Sequence, residues 1–139
     1  MNKQNLETEL ILLCDYALIS KEGKLSALGI FEELRTTNPT AVLAKGFLVA
    51  TLSGTPNTAY KLNIKAEHKV EKRSILPPLE MGVQTGPNGR SNLLLELVGI
   101  TFPKEGIYDF KILSEKEEVG STHLTVIKMN NNKEREVAN

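Results

Sequence analysis

Tryptophan is missing from this chain, there is one cysteine, Cys14, and only two histidines, His68 and His123. A single cysteine excludes an internal disulfide framework. A chain of 139 residues that must fold without bridges fits a reducing compartment, so the cytoplasm is the expected location. Net charge is also lacking, because 17 basic side chains balance 17 acidic ones. Proteins that grip nucleic acid through its phosphates carry a basic excess, so nucleic acid is not an expected partner. Long apolar runs are absent. The start, Met1-Asn2-Lys3-Gln4-Asn5, leads into Glu7 and Glu9 rather than into a signal-peptide stretch. The apolar run at 11–19 is broken by Asp15 and is too short to span a bilayer, so no membrane contact is expected.

The motifs of common chemistry are missing as well. No G-x-x-x-x-G-K-[ST] and no G-x-G-x-x-G is present, so nothing cradles a nucleotide phosphate. His68, His123 and Cys14 form no H-x-x-x-H or C-x-x-C pair, and no metal or cofactor is expected. G-x-S-x-G is absent, and with it the nucleophile elbow. No nucleophile, base and orienter can be named together, so the chain is read as a non-enzyme with no catalytic residue.

What the chain does have is ordinary globular composition, 40% hydrophobic and 24% charged, and a period of two. In Tyr60-Lys61-Leu62-Asn63-Ile64-Lys65-Ala66-Glu67-His68-Lys69-Val70, apolar residues fall on alternate positions, which is the signature of a half-buried strand. The spacing predicts Tyr60, Leu62, Ile64, Ala66 and Val70 on one buried face. Similar runs at 9–20 and 24–35 flank the hairpin signal Lys21-Glu22-Gly23-Lys24. Further strands are expected at 42–53, 79–85, 92–101, 106–114 and 117–128. Leu76-Pro77-Pro78 marks a connection into an edge strand, because proline donates nothing to the ladder. Gly86-Pro87-Asn88-Gly89 is a turn.

About eight short strands without a competing helical stretch predict an all-β, antiparallel Greek-key sandwich of immunoglobulin type. The single domain is expected to span residues 1–128, with a polar, disordered tail at 129–139. Phe102-Pro103-Lys104-Glu105-Gly106-Ile107-Tyr108-Asp109-Phe110 refines that expectation. A Tyr just after a Gly-containing turn, two places before a core residue, has the form of a tyrosine corner. Gly106, Tyr108 and Phe110 are then structural, although an ordinary inward-facing Tyr at a strand start explains the same residues equally well.

Leu12-Leu13-Cys14-Asp15-Tyr16-Ala17 and Gly23-Lys24-Leu25-Ser26-Ala27-Leu28-Gly29-Ile30-Phe31 resemble the first half of a bacterial family classed only as a domain of unknown function. Asn92-Leu93-Leu94-Leu95-Glu96-Leu97 and the Phe102–Phe110 stretch resemble its second half. The resemblance runs from about residue 10 to 127. It implies a small β-sandwich and brings no catalytic residues.

Five groups of side chains invite a functional reading. Cys14 shares its phase with Leu10, Leu12, Tyr16 and Leu18, read as the core side, where burial makes a thiol inert. His68 reads as a core-edge residue and His123 as a solvated one. Asp15 and Glu96 would form an acid–base pair only if they were neighbours, and their phases place both outward. Lys61, Lys65, Lys69, Lys72 and Arg73 form a basic stripe that Glu67 and Glu71 interrupt, which reads as a solvated face.

The fifth group is apolar. Strand 9–20 carries Ile11, Leu13, Ala17 and Ile19 opposite its assumed core face, and strand 92–101 carries Leu94, Val98 and Ile100. A sandwich is ordinarily wet on its outer faces. A second greasy face is expected to be covered by another subunit, another protein or a long loop, and a homodimer is the simplest case. Two functions therefore stand side by side. One is a binding or assembly module acting through this face. The other is a small-ligand module, for a sugar or a peptide, using loops at one end of the sandwich. Low aromatic content, 5%, weighs against sugar.

Overall fold

In a computed structural model that describes residues 5–129, the alternation of the central strand is reproduced residue by residue. Tyr60, Leu62, Ile64, Ala66 and His68 are buried, while Lys61, Asn63 and Lys65 between them are exposed and Glu67 is half-buried. Val70 does not join them. The strand ends at His68, and Val70 is 81% exposed in the turn that follows.

Among the described residues there are nine strands: β1 (Glu7–Ile19), β2 (Leu25–Ile30), β3 (Glu33–Thr36), β4 (Ala41–Ser53), β5 (Ala59–His68), β6 (Leu79–Gln84), β7 (Arg90–Phe102), β8 (Gly106–Ser114) and β9 (Glu117–Lys128). They form a four-stranded sheet, β2-β1-β4-β7, and a five-stranded sheet, β3-β9-β8-β5-β6. The chain crosses between the sheets from β4 to β5 and again from β7 to β8. The outgoing strands pair with each other, β4 with β7 and β5 with β8. That interlock is the Greek-key arrangement of immunoglobulin-like sandwiches.

The run at 24–35, expected as one strand, is two. The Phe31 N–H donates to Leu13 O (3.0 Å) on one sheet, and Glu32 O accepts from Thr125 N (3.0 Å) on the other. The chain changes sheets within two residues, and β3 then runs parallel to β9, with Glu33 opposite Thr125 and Thr36 opposite Lys128. Every other pairing is antiparallel. The hairpin at 20–24 closes where expected, with Ser20 N donating to Lys24 O (2.8 Å) and Gly23 at φ +85°. Gly86–Gly89 also forms its turn. A Cβ on Gly89 would meet Gly54 O at 2.5 Å, so two loops approach there more closely than any side chain allows.

The core lies between the sheets. Leu13, Leu48, Leu52, Leu62, Ile64, Leu93, Phe102, Tyr108, Phe110, Ile112 and Leu124 are its largest fully buried members. β4 and β7 reach this core in two phases. Leu43 and Leu48 are five positions apart and both are core residues, as are Leu97 and Phe102. Strict alternation would put one of each pair outside. Gly99, at φ +64°, sits between Leu97 and Phe102 at the level of residues 43–45, and its left-handed backbone reverses the phase. The polar tail expected at 129–139 lies, from residue 130 onward, outside the described residues.

Candidate interaction face and the corner that braces the sandwich

Register decides which side chains share a face. Leu13 stands opposite Leu48, which stands opposite Leu95, and this row points into the core. The next row, Leu12–Val49–Leu94, must therefore point out, as must Cys14–Phe47–Glu96. Cys14 and Val49 are nonetheless fully buried, because Leu12, Phe47, Leu94, Leu25 and Ala27 close over them. Tyr16 packs edge-on against Phe47 with ring centroids 5.8 Å apart, leaving the phenol 47% exposed. The result is a second, small apolar cluster on the outside of the four-stranded sheet. Thr51 donates to Asn92 (2.9 Å) at one border of it, and Lys45 pairs with Glu96 (3.3 Å) at another.

The residues expected to form this face are thus partly the wrong ones. Leu13 is 1% exposed and belongs to the core, and Ile11 packs against the same core. From Ile11 to Cys14 the phase of β1 is opposite to the one expected, because an apolar strand with two greasy faces carries no internal mark of which faces inward. Ile100 also packs on the core, through the reversal at Gly99. Ala17 is buried inside the outer cluster. Leu94 lies in the outer row, Ile19 is 44% exposed and Val98 65% exposed. Phe47 and Val49 were missed. Their signal was a β4 apolar on both phases, Phe47 and Val49 against Leu48, Ala50 and Leu52.

Cys14 is buried, but on the outer side. Burial pushes its thiol above the ordinary value, a hydrogen bond to Tyr16 O (3.4 Å) opposing this in part. Asp15 and Glu96 do not meet. β4 runs between them, Lys45 holds Glu96, and Asp15 lies against Gly29 of β2.

At the other end of the molecule the tyrosine-corner geometry is complete. The Tyr108 hydroxyl donates to Lys104 O (2.6 Å) and accepts from Lys104 N (3.2 Å), closing the turn from β7 to β8 across the two sheets. Its ring meets Phe102 edge-on at 5.0 Å and His68 at 5.1 Å. His68 Nδ1 accepts the Val70 and Glu71 amides (3.3 and 3.1 Å), so Nε2 carries the proton and donates to Glu105 O (3.0 Å). Both ring nitrogens are spent on backbone, and none is left for a metal. Gly106, at φ +128°, is where this ring fits: a Cβ there would lie 2.6 Å from Nε2. Phe110 is fully buried two residues beyond the Tyr. Lys104 also hydrogen-bonds Glu71, which holds that exposed carboxyl below its ordinary value and ties the β5–β6 connection to the corner. Tyr60 repeats the device between β4 and β5, accepting from Thr55 N (2.9 Å) and donating to Asn5 Oδ1 (3.0 Å). The sequence around Tyr60 marks only an inward strand position.

His123 is exposed, as expected, and its Nδ1 lies 3.0 Å from Asp109 Oδ1. Asp109 points outward yet is buried beneath its neighbours in the row Glu67–Asp109–His123. Among the described residues no group of three His, Cys, Asp or Glu side chains could hold a metal, and no helix is long and apolar enough to cross a membrane.

Interlocked sheets, a tyrosine corner and a phenylalanine in the neighbouring core position define an immunoglobulin-like β-sandwich. The chain belongs to the family of unknown function DUF6941, whose model matches residues 9–127. No curated protein matches the sequence. Among solved structures the chain is similar to part of the β-glucosidase of Listeria innocua in complex with glucose, at 9% identity and a TM-score of 0.51. The match covers 92% of this chain and 16% of the glucosidase. It is similar also to part of the alkylpurine DNA glycosylase of Pseudomonas fluorescens bound to DNA containing an abasic site analog. There the identity is 11% and the TM-score 0.53, over 90% of this chain and 31% of the glycosylase. The chain spans less than a third of either protein, and at such identities the likeness is one of fold alone.

Proposed function

We propose that this protein is a non-enzymatic binding module that assembles through the outer face of its four-stranded sheet, with a second copy of itself as the occupant. The observation that carries the reading is the outward row Leu12–Val49–Leu94 with the Tyr16–Phe47 ring pair beside it. An outer sheet face is normally polar, and a contiguous apolar cluster there gains free energy when it is covered, at about 25 cal/mol per Å². Its border carries both signs, Lys45 and Glu96 on one side, Glu9 and Arg90 on another. A border of mixed sign suits a two-fold contact in which each patch meets its own copy, and a net charge of +0 leaves no long-range repulsion to oppose it. The buried free thiol fits a reducing compartment, and we place the protein in the cytoplasm on that ground.

Sedimentation velocity across micromolar concentrations tests the reading. A dimer is expected, and Tyr16→Ser combined with Val98→Glu, both at exposed positions, should convert it to monomer without loss of the β circular-dichroism signal. A wild-type monomer throughout that range refutes it, as does a dimer that survives the double substitution. Leu13→Glu is not a suitable test, since it places a carboxylate in the core and unfolds the protein.

A further inference from the structure

A cavity of about 640 Å³ lies on the opposite sheet, where the connection from β5 to β6 passes over the outer surface of β5. Its apolar walls are Leu76, Pro77 and Pro78 from that connection and Leu113 from β8. Lys65 of β5 and Lys116 of the β8–β9 turn also line it. The volume falls in the range of small-molecule sites.

Three features make this more than a surface dent. First, the wall is held in place before any ligand arrives. Ile75 N donates to Ala66 O (2.9 Å), Ser74 Oγ donates to Leu76 O (2.8 Å), and the two prolines have fixed φ. Second, its two cations are uncommitted. Lys45, Lys72, Lys104 and Lys111 each pair with a glutamate, whereas neither Lys65 nor Lys116 joins an ion pair among the described residues. Third, Lys116 occupies a position that suits glycine. Glu115 and Lys116 have φ of +50° and +72° in the two-residue turn, a conformation that Asn-Gly adopts more easily. Lys116 thus lines the cavity from a turn whose backbone conformation is strained for a lysine.

We propose that this cavity binds a small amphipathic carboxylate, with an alkyl or aryl body against Leu76, Pro78 and Leu113 and its carboxylate between Lys65 and Lys116. Among the described residues that line it none is a carboxylate, so the lining does not oppose an anion. Among the same described residues none has an aromatic ring on which a sugar could stack. The site stands on the five-stranded sheet and is independent of assembly through the four-stranded one.

The test uses the full chain labelled with ¹⁵N and titrated with sodium decanoate and with 4-phenylbutyrate, each below its aggregation threshold, and with 1-decanol as the neutral counterpart. At least one of the two acids is expected to shift the amides of Lys65, Leu113 and Lys116. Decanol should bind about tenfold more weakly or worse than decanoate, since a charge-assisted contact is lost. Lys65→Gln with Lys116→Gln should weaken acid binding by about tenfold while leaving the melting temperature no lower. The proposal is overturned if neither acid shifts these amides up to millimolar concentration, or if decanol binds as well as decanoate. It is overturned equally by shifts that fall on β1, β4 and β7 instead, or by a double variant that keeps full affinity.

Discussion

Replacing Tyr108 by phenylalanine removes one oxygen from the corner and leaves the ring where it is. The hydroxyl makes two hydrogen bonds, giving its proton to Lys104 O at 2.6 Å and receiving that of Lys104 N at 3.2 Å. Each is a part-buried bond worth about 0.5–1.5 kcal/mol net, and both partner groups lose their acceptor or donor together. The ring contacts with Phe102 and His68, at 5.0 and 5.1 Å, persist, so no cavity term adds to the loss. The expected destabilisation is therefore about 2 kcal/mol, which for a chain of this size lowers the melting temperature by about 6–10 °C. Urea unfolding followed by far-ultraviolet circular dichroism should show the midpoint falling while the slope with denaturant stays constant. Tyr60→Phe serves as an internal comparison. Its hydroxyl bonds Thr55 N and an exposed Asn5 near the chain start, and the expected loss is smaller, about 1 kcal/mol. If Tyr108→Phe costs less than about 0.5 kcal/mol, the corner is not a brace and the reasoning fails.

Two other measurements separate further causes. Gly99 and Gly106 both have positive φ, but a Cβ on Gly99 meets nothing within 4 Å while one on Gly106 collides with the His68 ring at 2.6 Å. Gly99→Ala should lose only about 0.5–1 kcal/mol, backbone strain offset by a stiffer unfolded chain, and Gly106→Ala at least about 3 kcal/mol, both read from urea midpoints. Equal losses would mean that strain alone matters and that the His68 contact does not. Cys14, whose thiol burial pushes up, should resist Ellman's reagent in the native state and react at once in urea. The folded protein keeps the proton longer than the unfolded chain. Its contribution to stability is thus intact below the unfolded thiol value of about 8.5 and declines as pH rises from there through the folded value. Cys14→Ser should flatten that alkaline decline, and an unchanged pH profile in the variant would assign the decline to other groups.

Much of the site was visible in the chain without coordinates, and the errors share one origin. The Phe102–Phe110 segment declares its corner locally, since the turn glycine, the tyrosine and the inward phenylalanine are near neighbours. The outer apolar face was also foreseen, with Leu94, Val98 and Ile19 on it, but with Leu13 and Ile100 in place of Leu12, Phe47 and Val49. In β5, lysines on one phase state which side is wet. In β1 and β4 both phases are apolar, and only the partner sheet decides between them. The cavity over β5 was not legible at all, because Lys65, Leu113 and Lys116 come together only when β5 pairs with β8.

Local chemistry by itself determined the strands, the turns at 20–24 and 86–89 and the two-layer class, because side-chain alternation and turn-forming residues act over a few positions. Three things waited for the tertiary structure. The chain changes sheet at Phe31 and Glu32, β3 lies parallel to β9, and Gly99 reverses the phase of β7. Each depends on which strand becomes a neighbour. Strand pairing is a contact between residues tens of positions apart, and no local pattern encodes it.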